Sequence, residues 1–578
     1  MVVLGVDVGG TFTDAVVLDE GRVTTAKVLT APRQEDSVVA AARAAGAERV
    51  ERFAHGTTVA TNALLERKGA RTAFVTTAGF EHLLHLRRQT RAQLYRPCAE
   101  WPEPLVPLER SHGVRGRIGP EAELEPLDLA TLPHIEAEAV AVCLLHAYRD
   151  PSHERAVVEE LRRRLPDAHV VASHEVAPEF REYERASTTA ADAYLGPVVA
   201  RYLQALTAAA AAAGLPAPFV MRSSGGVSTP DEAAEHPATI LVSGPAAGVV
   251  GAARLAALAG IENAIAFDMG GTSTDVCLIA GGRAERASER TVAGLPIRLP
   301  TVDLHTVGAG GGSLVWTDAG GALHVGPQSA GADPGPACYG RGGTQGTVTD
   351  ANLLLSRLPR KLAGGVELDH VAAERALAGT DAAAVIDVVN AEMLRALRVV
   401  SVERGHDPAD FALVAFGGAG PLHACELADE LGIRRVLVPE AAGVLSALGL
   451  VASEERRDAV RSYLVPLADA GELPKEGEAD LRYAGQSFEL TLRLQEDLAE
   501  AFHRAHEEQY GFAERDREVQ LVAVRTADIR KGAQLELPLG EETTVYGPAV
   551  VELAGATCWI PPGWVGVRDG RMLRLTRQ

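Results

Sequence analysis

Asp7-Val8-Gly9-Gly10-Thr11-Phe12-Thr13-Asp14 returns, nearly unchanged, as Asp268-Met269-Gly270-Gly271-Thr272-Ser273-Thr274-Asp275, with six of the eight positions identical. Gly21-Arg22 follows the first copy at the spacing at which Gly282-Arg283 follows the second. Each copy stands between two short apolar runs, Val2 to Val6 and Ala15 to Leu18 in one case, Ala264 to Phe267 and Val276 to Ile279 in the other. The pattern predicts two β-hairpins with polar, glycine-rich turns. Adjacent glycines let backbone N–H groups come close to an anion because no Cβ intervenes. The threonine hydroxyls add donors, and the aspartates suit a hydrated cation. Two such turns facing each other would clamp a metal-bound polyphosphate. One copy alone reads as an ordinary glycine turn. Retention of both aspartates and both threonines in a repeat favours phosphate binding.

The chain has 578 residues, enough for two to four domains, and 47% of them are hydrophobic. Its formal net charge of −21 argues against binding a nucleic-acid backbone or an anionic membrane by general electrostatics. A nucleotide remains compatible, because Mg²⁺ and backbone amides supply complementarity locally. The six cysteines, Cys98, Cys143, Cys277, Cys338, Cys425 and Cys558, are scattered with no CxxC pair, which fits buried thiols in a reducing cytoplasm. The N-terminal Met1 to Gly5 has no basic leader, and no apolar run reaches membrane-spanning length, so a cytoplasmic location is expected. A GxxxxGK[ST] loop and a GxSxG elbow are both missing from the sequence, which excludes a P-loop NTPase and the usual serine-hydrolase arrangement.

Strand, turn and helix alternate over residues 1 to 455, which predicts an α/β architecture. Asp480 to Leu490 alternates like a strand, Phe502 to Tyr510 reads as helical, and Tyr546 to Trp564 looks like short strands broken by Pro and Gly. Residues 466–578 are therefore expected to form a separate small α+β or mostly β module.

Several further strings, taken in order, resemble the hydantoinase A / 5-oxoprolinase family. They are Gly5 to Asp14, His55-Gly56-Thr57-Thr58-Val59-Ala60-Thr61-Asn62-Ala63, Glu182-Tyr183-Glu184-Arg185, Ser243-Gly244-Pro245-Ala246-Ala247-Gly248, Asp268 to Asp275, Thr306 to Ser313, Gly335 to Gly340, and Phe416-Gly417-Gly418-Ala419-Gly420-Pro421-Leu422-His423. The family includes subunits of acetone and acetophenone carboxylases. The resemblance implies two RNase H-like lobes of the actin, sugar-kinase and heat-shock-ATPase kind, with ATP in the cleft. It implies a first lobe over 1–185, a second over 186–465 and the module over 466–578. Gly9, Gly10, Thr11 and Thr13 look like one phosphate loop, and Gly270, Gly271, Thr272 and Thr274 like the other. Asp7 and Asp268 look like the carboxylates that hold Mg²⁺ through water or orient the attacking group. Gly417 and Gly418 look like the adenosine-side turn, and the helices after Ser243 and Ala442 like the crossing helices at the hinge. The activity implied is ATP-dependent hydrolysis of a cyclic amide of hydantoin or 5-oxoproline type, by an A-type subunit working with a B-type subunit in a homo- or hetero-oligomer. Between Leu464 and Asp480 the chain has a short polar link where relatives carry a longer helical segment.

His55, beside Gly56-Thr57-Thr58, is a candidate contact to substrate or γ-phosphate. Asp303, His305 and Asp350 are candidate metal ligands. Arg87-Arg88 and Arg185 read as surface and helix-face residues that could instead meet anionic groups. The alternatives to an amide hydrolase are an ATP-dependent ketone carboxylase subunit, a small-molecule kinase, and an actin- or chaperone-like ATPase switch. The extra glycine-rich turns, Gly308 to Ser313 and Gly335 to Gly340, favour an enzyme, since a switch needs no further anion- or carbonyl-binding turns.

Overall fold

A computed structural model describes residues 1–578 apart from Pro97, residues 363–365, Gln534 and Glu536. Both octapeptides are the turns of antiparallel hairpins, Val3–Val8 with Phe12–Asp19 and Ala264–Met269 with Thr274–Ala280. The registers are equivalent: Asp7 faces Asp14 and Asp268 faces Asp275. The next turn is equivalent too. Glu20 and Gly21 have φ of 47° and 83°, and Gly281 and Gly282 have 55° and 73°, the paired positive φ of a type I′ hairpin turn.

Around each hairpin the strands follow one plan. In the first lobe Arg22–Leu29 is antiparallel to Phe12–Asp19, while Arg52–Thr57 and then Pro218–Met221 are parallel to Val3–Val8. In the second lobe Arg283–Ala284 takes the antiparallel place, and Ala412–Phe416 and Arg435–Pro439 the parallel ones. This five-strand order, three antiparallel then two parallel, is the RNase H-like plan, built twice. The parallel strands read as continuous apolar runs, such as Ala412–Phe416, because helices cover both faces.

The expected lobe boundaries are 185/186 and 465/466. The helix Glu182–Ala212 runs across the first of these, and Pro218–Met221 and Val227–Ser228 return to the first sheet. A separate five-stranded sheet formed between residues 72 and 172 is inserted into the first lobe. Residues 466–578 do contain an α+β unit with its own small core around Leu481, Tyr483 and Phe502. Its strands, however, complete the two large sheets. Val519–Arg530 pairs with Glu455–Pro466 in the first, and Met572–Arg577 pairs with Arg435–Pro439 in the second. A buried ion network secures the first junction. The Glu179 carboxylate receives Arg525 at 2.8 and 2.7 Å and Arg298 at 2.8 Å, and Arg525 also reaches Asp480 at 2.9 Å.

The lobes meet through two helices, Ser243–Leu258 and Leu445–Ala452. They touch backbone to backbone. A Cβ on Gly449 would lie 1.9 Å from the Ala247 carbonyl oxygen, and one on Gly5 would lie 2.2 Å from that of Ala447. Only glycine permits that approach at these two positions. The expected crossing helices are therefore present, and the small-residue run after Ser243 is their packing surface.

Candidate active site at the two hairpin turns

The two turns have the same internal construction. Gly9 N–H donates to Phe12 O at 2.9 Å, and Gly270 N–H to Ser273 O at 3.0 Å. Gly10 and Gly271 are exposed at the tips, and a Cβ on either would meet nothing within 4 Å. Open space beside an exposed glycine backbone is what an incoming phosphate requires. Thr11 is half-buried and Thr272 exposed, so both stand at the rim.

Thr13 and Thr274 are placed differently from the expectation that their hydroxyls face a ligand. Both are fully buried. The Thr30 hydroxyl donates to Gly9 O at 2.9 Å, so Thr13 donates to Thr30 at 3.0 Å; Thr274 donates to Ala309 O at 2.6 Å. Each threonine fixes its turn from behind.

Asp7 and Asp268 end the central strands, each against a glycine. A Cβ on Gly56 would fall 2.4 Å from Asp7 Oδ1, and one on Gly417 2.3 Å from Asp268 Oδ1. Gly417, one residue beyond the register position of Gly56, gives Asp268 the same room, with φ of +78° and its N–H bonded to Ala442 O at 3.0 Å. It makes room for Asp268, while Gly418, exposed and open, is the part of that turn free to face a ligand. On its other side Asp7 meets the start of the helix Ser243–Leu258, where a Cβ on Gly244 would lie 3.3 Å from Oδ1. The preceding Val242 has φ of +53°, a strained conformation for a β-branched residue. That turn sets Ser243 to donate to Thr57 O at 2.9 Å.

The electrostatics of the pair suit a cation. Burial pushes Asp7 up to about 7, with Asp14 adding to the rise and Lys27 opposing it. Burial pushes Asp268 up to about 8, helped by Asp275, Asp7 and Asp14. Asp7 Oδ1 is buried without a hydrogen-bond partner. A buried carboxylate oxygen without a donor, among other carboxylates, fits a hydrated Mg²⁺, which both aspartates could hold through water.

His55 stands apart from this site. It is fully buried, its Nδ1 3.1 Å from Val6 O and its Nε2 2.7 Å from Tyr202 Oη. Since a carbonyl only accepts, Nδ1 carries the proton and Nε2 accepts from Tyr202. Burial lowers its pKa to about 4. Both nitrogens are engaged inside the core, so the structure does not turn the imidazole toward the glycine turns as a catalytic role would require.

Asp303, His305 and Asp350 do not assemble. Asp350 accepts from the N–H of Cys338 at 2.8 Å and Thr347 at 2.9 Å and from the Thr347 hydroxyl at 2.7 Å, and Asp303 pairs with Arg404. Among the described residues no group of three or more His, Cys, Asp or Glu side chains could hold a metal ion. The extra glycine turns are structural as well. Gly311 N–H donates to Gly270 O at 3.0 Å and Gly312 N–H to Gly271 O at 2.7 Å, bracing the second turn, while Ala337 and Cys338 bind Asp350. They no longer favour an enzyme over a switch. Arg88 forms a two-pronged pair with Glu184, and buried Arg185 donates to the Leu144 and Glu179 carbonyls.

Four residues at the site lay outside the sequence assignment: Asp14, Lys27, Asp275 and Gly244. Lys27 Nζ sits 2.6 Å from Asp14 Oδ1, and Thr306 donates to Asp275 at 2.5 Å. Asp14 and Asp275 close the octapeptides, so the repeat itself carried their signal.

Comparison with known proteins gives two family matches. Residues 3–165 match the hydantoinase/oxoprolinase N-terminal region and residues 185–459 match hydantoinase/oxoprolinase. The caprolactamase subunit alpha of Pseudomonas jessenii is 33% identical over 97% of this chain and 97% of its own length. The crystal structure of the ATP-dependent caprolactamase from that organism superposes with a TM-score of 0.88, at 32% identity and full coverage of both chains. The 5-oxoprolinase of Saccharomyces cerevisiae is 31% identical over 84% of this chain, which spans 44% of that protein.

Proposed function

The chain belongs to the hydantoinase/oxoprolinase family, and from that premise we propose that it is the ATP-binding, A-type subunit of an enzyme that hydrolyses a cyclic amide. The observation that carries this reading is the pair Asp7 and Asp268, each behind an open glycine turn in duplicated hairpins of identical register. The full-length likeness to a caprolactamase subunit supports a lactam, hydantoin or 5-oxoproline as the substrate class. The word subunit in that relative's name supports a second, B-type chain as partner.

An amide carbonyl is a poor electrophile and its ring nitrogen a poor leaving group. In the proposed reaction the carbonyl oxygen attacks the γ-phosphorus, and the bond from that phosphorus to the β,γ-bridging oxygen breaks, releasing ADP. Water adds to the activated carbon, and the ring C–N bond breaks as nitrogen takes a proton, leaving an acyl phosphate. A second water releases phosphate, so ATP, cyclic amide and two waters become ADP, phosphate and a ring-opened amino acid. Such transfer depends on positioning and charge neutralisation. The amides around Gly9, Gly10, Gly270 and Gly271 would hold phosphate oxygens, and Thr11 and Thr272 stand at the rim to add donors. Mg²⁺ held through water by Asp7 and Asp268 would neutralise charge on the transferred group.

The test is ADP release by the purified chain together with its co-purifying partner, offered caprolactam, hydantoin or 5-oxoproline, or acetophenone with bicarbonate. Stimulation by a cyclic amide, with ring-opened product, is expected. Stimulation by the ketone and bicarbonate alone would replace the hydrolase with a carboxylase, and turnover indifferent to all four would leave an ATPase switch.

A further inference from the structure

At the level of Asp7 the first sheet presents a row of directly paired residues: Gly56, Asp7, Asp14 and Lys27. The second sheet presents the equivalent row Phe416, Asp268, Asp275 and Thr306. Directly paired residues on neighbouring strands share a face, so each row is a line of side chains on one side of its sheet. The rows agree in their two central carboxylates and differ at both ends, Gly56 against Phe416 and Lys27 against Thr306. The second ends in a hydroxyl, which satisfies Asp275 with one hydrogen bond and is itself held by Arg290 at 2.9 Å. The first ends in a full positive charge.

In the second row the outer aspartate is met by a hydroxyl, with the Arg290 guanidinium standing behind it, so no ammonium stands in the row itself. Lys27 is also positioned for more than its ion pair. Its side chain is 25% exposed, more than the 18% of Asp14. Nζ lies 5.1 Å from the ring centroid of Phe12, an exposed residue of the first glycine turn. Gly555 leaves room for the stem, since a Cβ there would lie 3.4 Å from Cε. The Asp14 ion pair and the approach to Phe12 place the ammonium beside the turn whose amides face open space. Burial raises Asp7, Asp14 and Asp268, and the charge of Lys27 opposes that rise at all three.

We propose that Lys27 is a phosphate-binding residue, its ammonium meeting an oxygen of the nucleotide's polyphosphate beside the Gly9–Gly10 turn while Thr306 makes no equivalent contact. Both lobes would then offer backbone amides to the polyphosphate, and only the first would add the charge of a lysine side chain. This rests on the nucleotide reading above.

The experiment is calorimetric titration of the full chain with MgATP, with melting temperatures measured in parallel. The proteins are wild type, K27M, K27R and the double variant D14N/K27M. Wild type is expected to bind MgATP, K27M about tenfold or more weakly, as befits loss of a charge-assisted contact. K27R should recover part of the loss, and D14N/K27M should stay as weak as K27M. If K27M melts far below wild type, K27Q, which keeps a donor toward Asp14, takes its place. A K27M affinity within twofold of wild type overturns the proposal. So does recovery in D14N/K27M, because the lysine would then serve only to neutralise Asp14. Wild-type protein that binds no MgATP overturns the nucleotide reading itself, and this proposal with it.

Discussion

Asp7 raises the pKa of Asp268 across the junction of the two lobes. Burial and the Asp275 carboxylate come first, Asp7 follows, and Asp268 stands at about 8, with Asp7 itself at about 7. The charges that act on Asp7 itself are Asp14, which raises it, and Lys27, which lowers it.

That coupling predicts a pH dependence. Both folded values lie above the ordinary aspartate value of 3.8, so between about 4 and 8 the folded chain holds protons that the unfolded chain has released. Their contribution to stability is full below pH 4 and is lost as pH rises through 7 to 8. The melting temperature of ligand-free wild type should fall over this window more steeply than that of D268N. MgATP should raise it more at pH 8 than at pH 6. Parallel slopes for the two proteins would refute the coupling.

Replacing Asp268 by alanine should abolish ATP turnover, by about a thousandfold or more if it orients the metal and phosphoryl group. The fold should persist, because the substitution removes one of several mutually repelling buried acids. Circular dichroism and ADP release on the same preparation check both halves. Near-normal turnover would remove the second hairpin from the mechanism.

Gly10 and Gly56 should separate binding from folding. A methyl on Gly10 enters open space, so G10A should melt like wild type and yet bind MgATP about tenfold less tightly, since the methyl occupies the phosphate's place. A methyl on Gly56 would lie 2.4 Å from Asp7 Oδ1, so G56A should displace that carboxyl and lower both melting temperature and affinity. Thermal melts and nucleotide titration of the two variants decide the matter; a large drop in G10A stability would mean the tip is packed in solution.

His55→Ala should destabilise the chain by about 2–4 kcal/mol, through a core cavity and an unpaired Val6 carbonyl and Tyr202 hydroxyl. Turnover per folded molecule should be unchanged. With a folded pKa near 4, this histidine contributes no limb near pH 6.5 to the wild-type pH–rate profile. Loss of turnover at undiminished stability would return His55 to the catalytic set.

Much of the site was legible because it is local. Asp7 to Asp14 is one tight hairpin, and its second copy carried the same reading to Asp268. Lys27 could have been found the same way. The Glu20–Gly21 turn sets Asp19 opposite Arg22, and the same register sets Asp14 opposite Lys27. Thr306 could not. In the second lobe the third strand stops at Ala284, the chain leaves, and His305–Val307 returns to pair with Thr274–Val276. Ser288, at the spacing that Lys27 has after the first octapeptide, stands outside that row.

His55 shows the opposite failure. It adjoins a motif in sequence, but strand alternation turns it to the face away from Gly56 and into the core. The C-terminal segment shows another: its strands pair with partners from distant parts of the chain, which no local pattern encodes.

The sequence by itself determined the duplicated hairpins, the α/β class and the identity of the two central aspartates, because turn chemistry and short-range pairing depend on neighbouring residues. Only the tertiary structure decided which side chains face the junction, which glycines exist to admit a carboxylate, and which strands complete each sheet. Those outcomes depend on burial and on contacts between residues far apart in the chain.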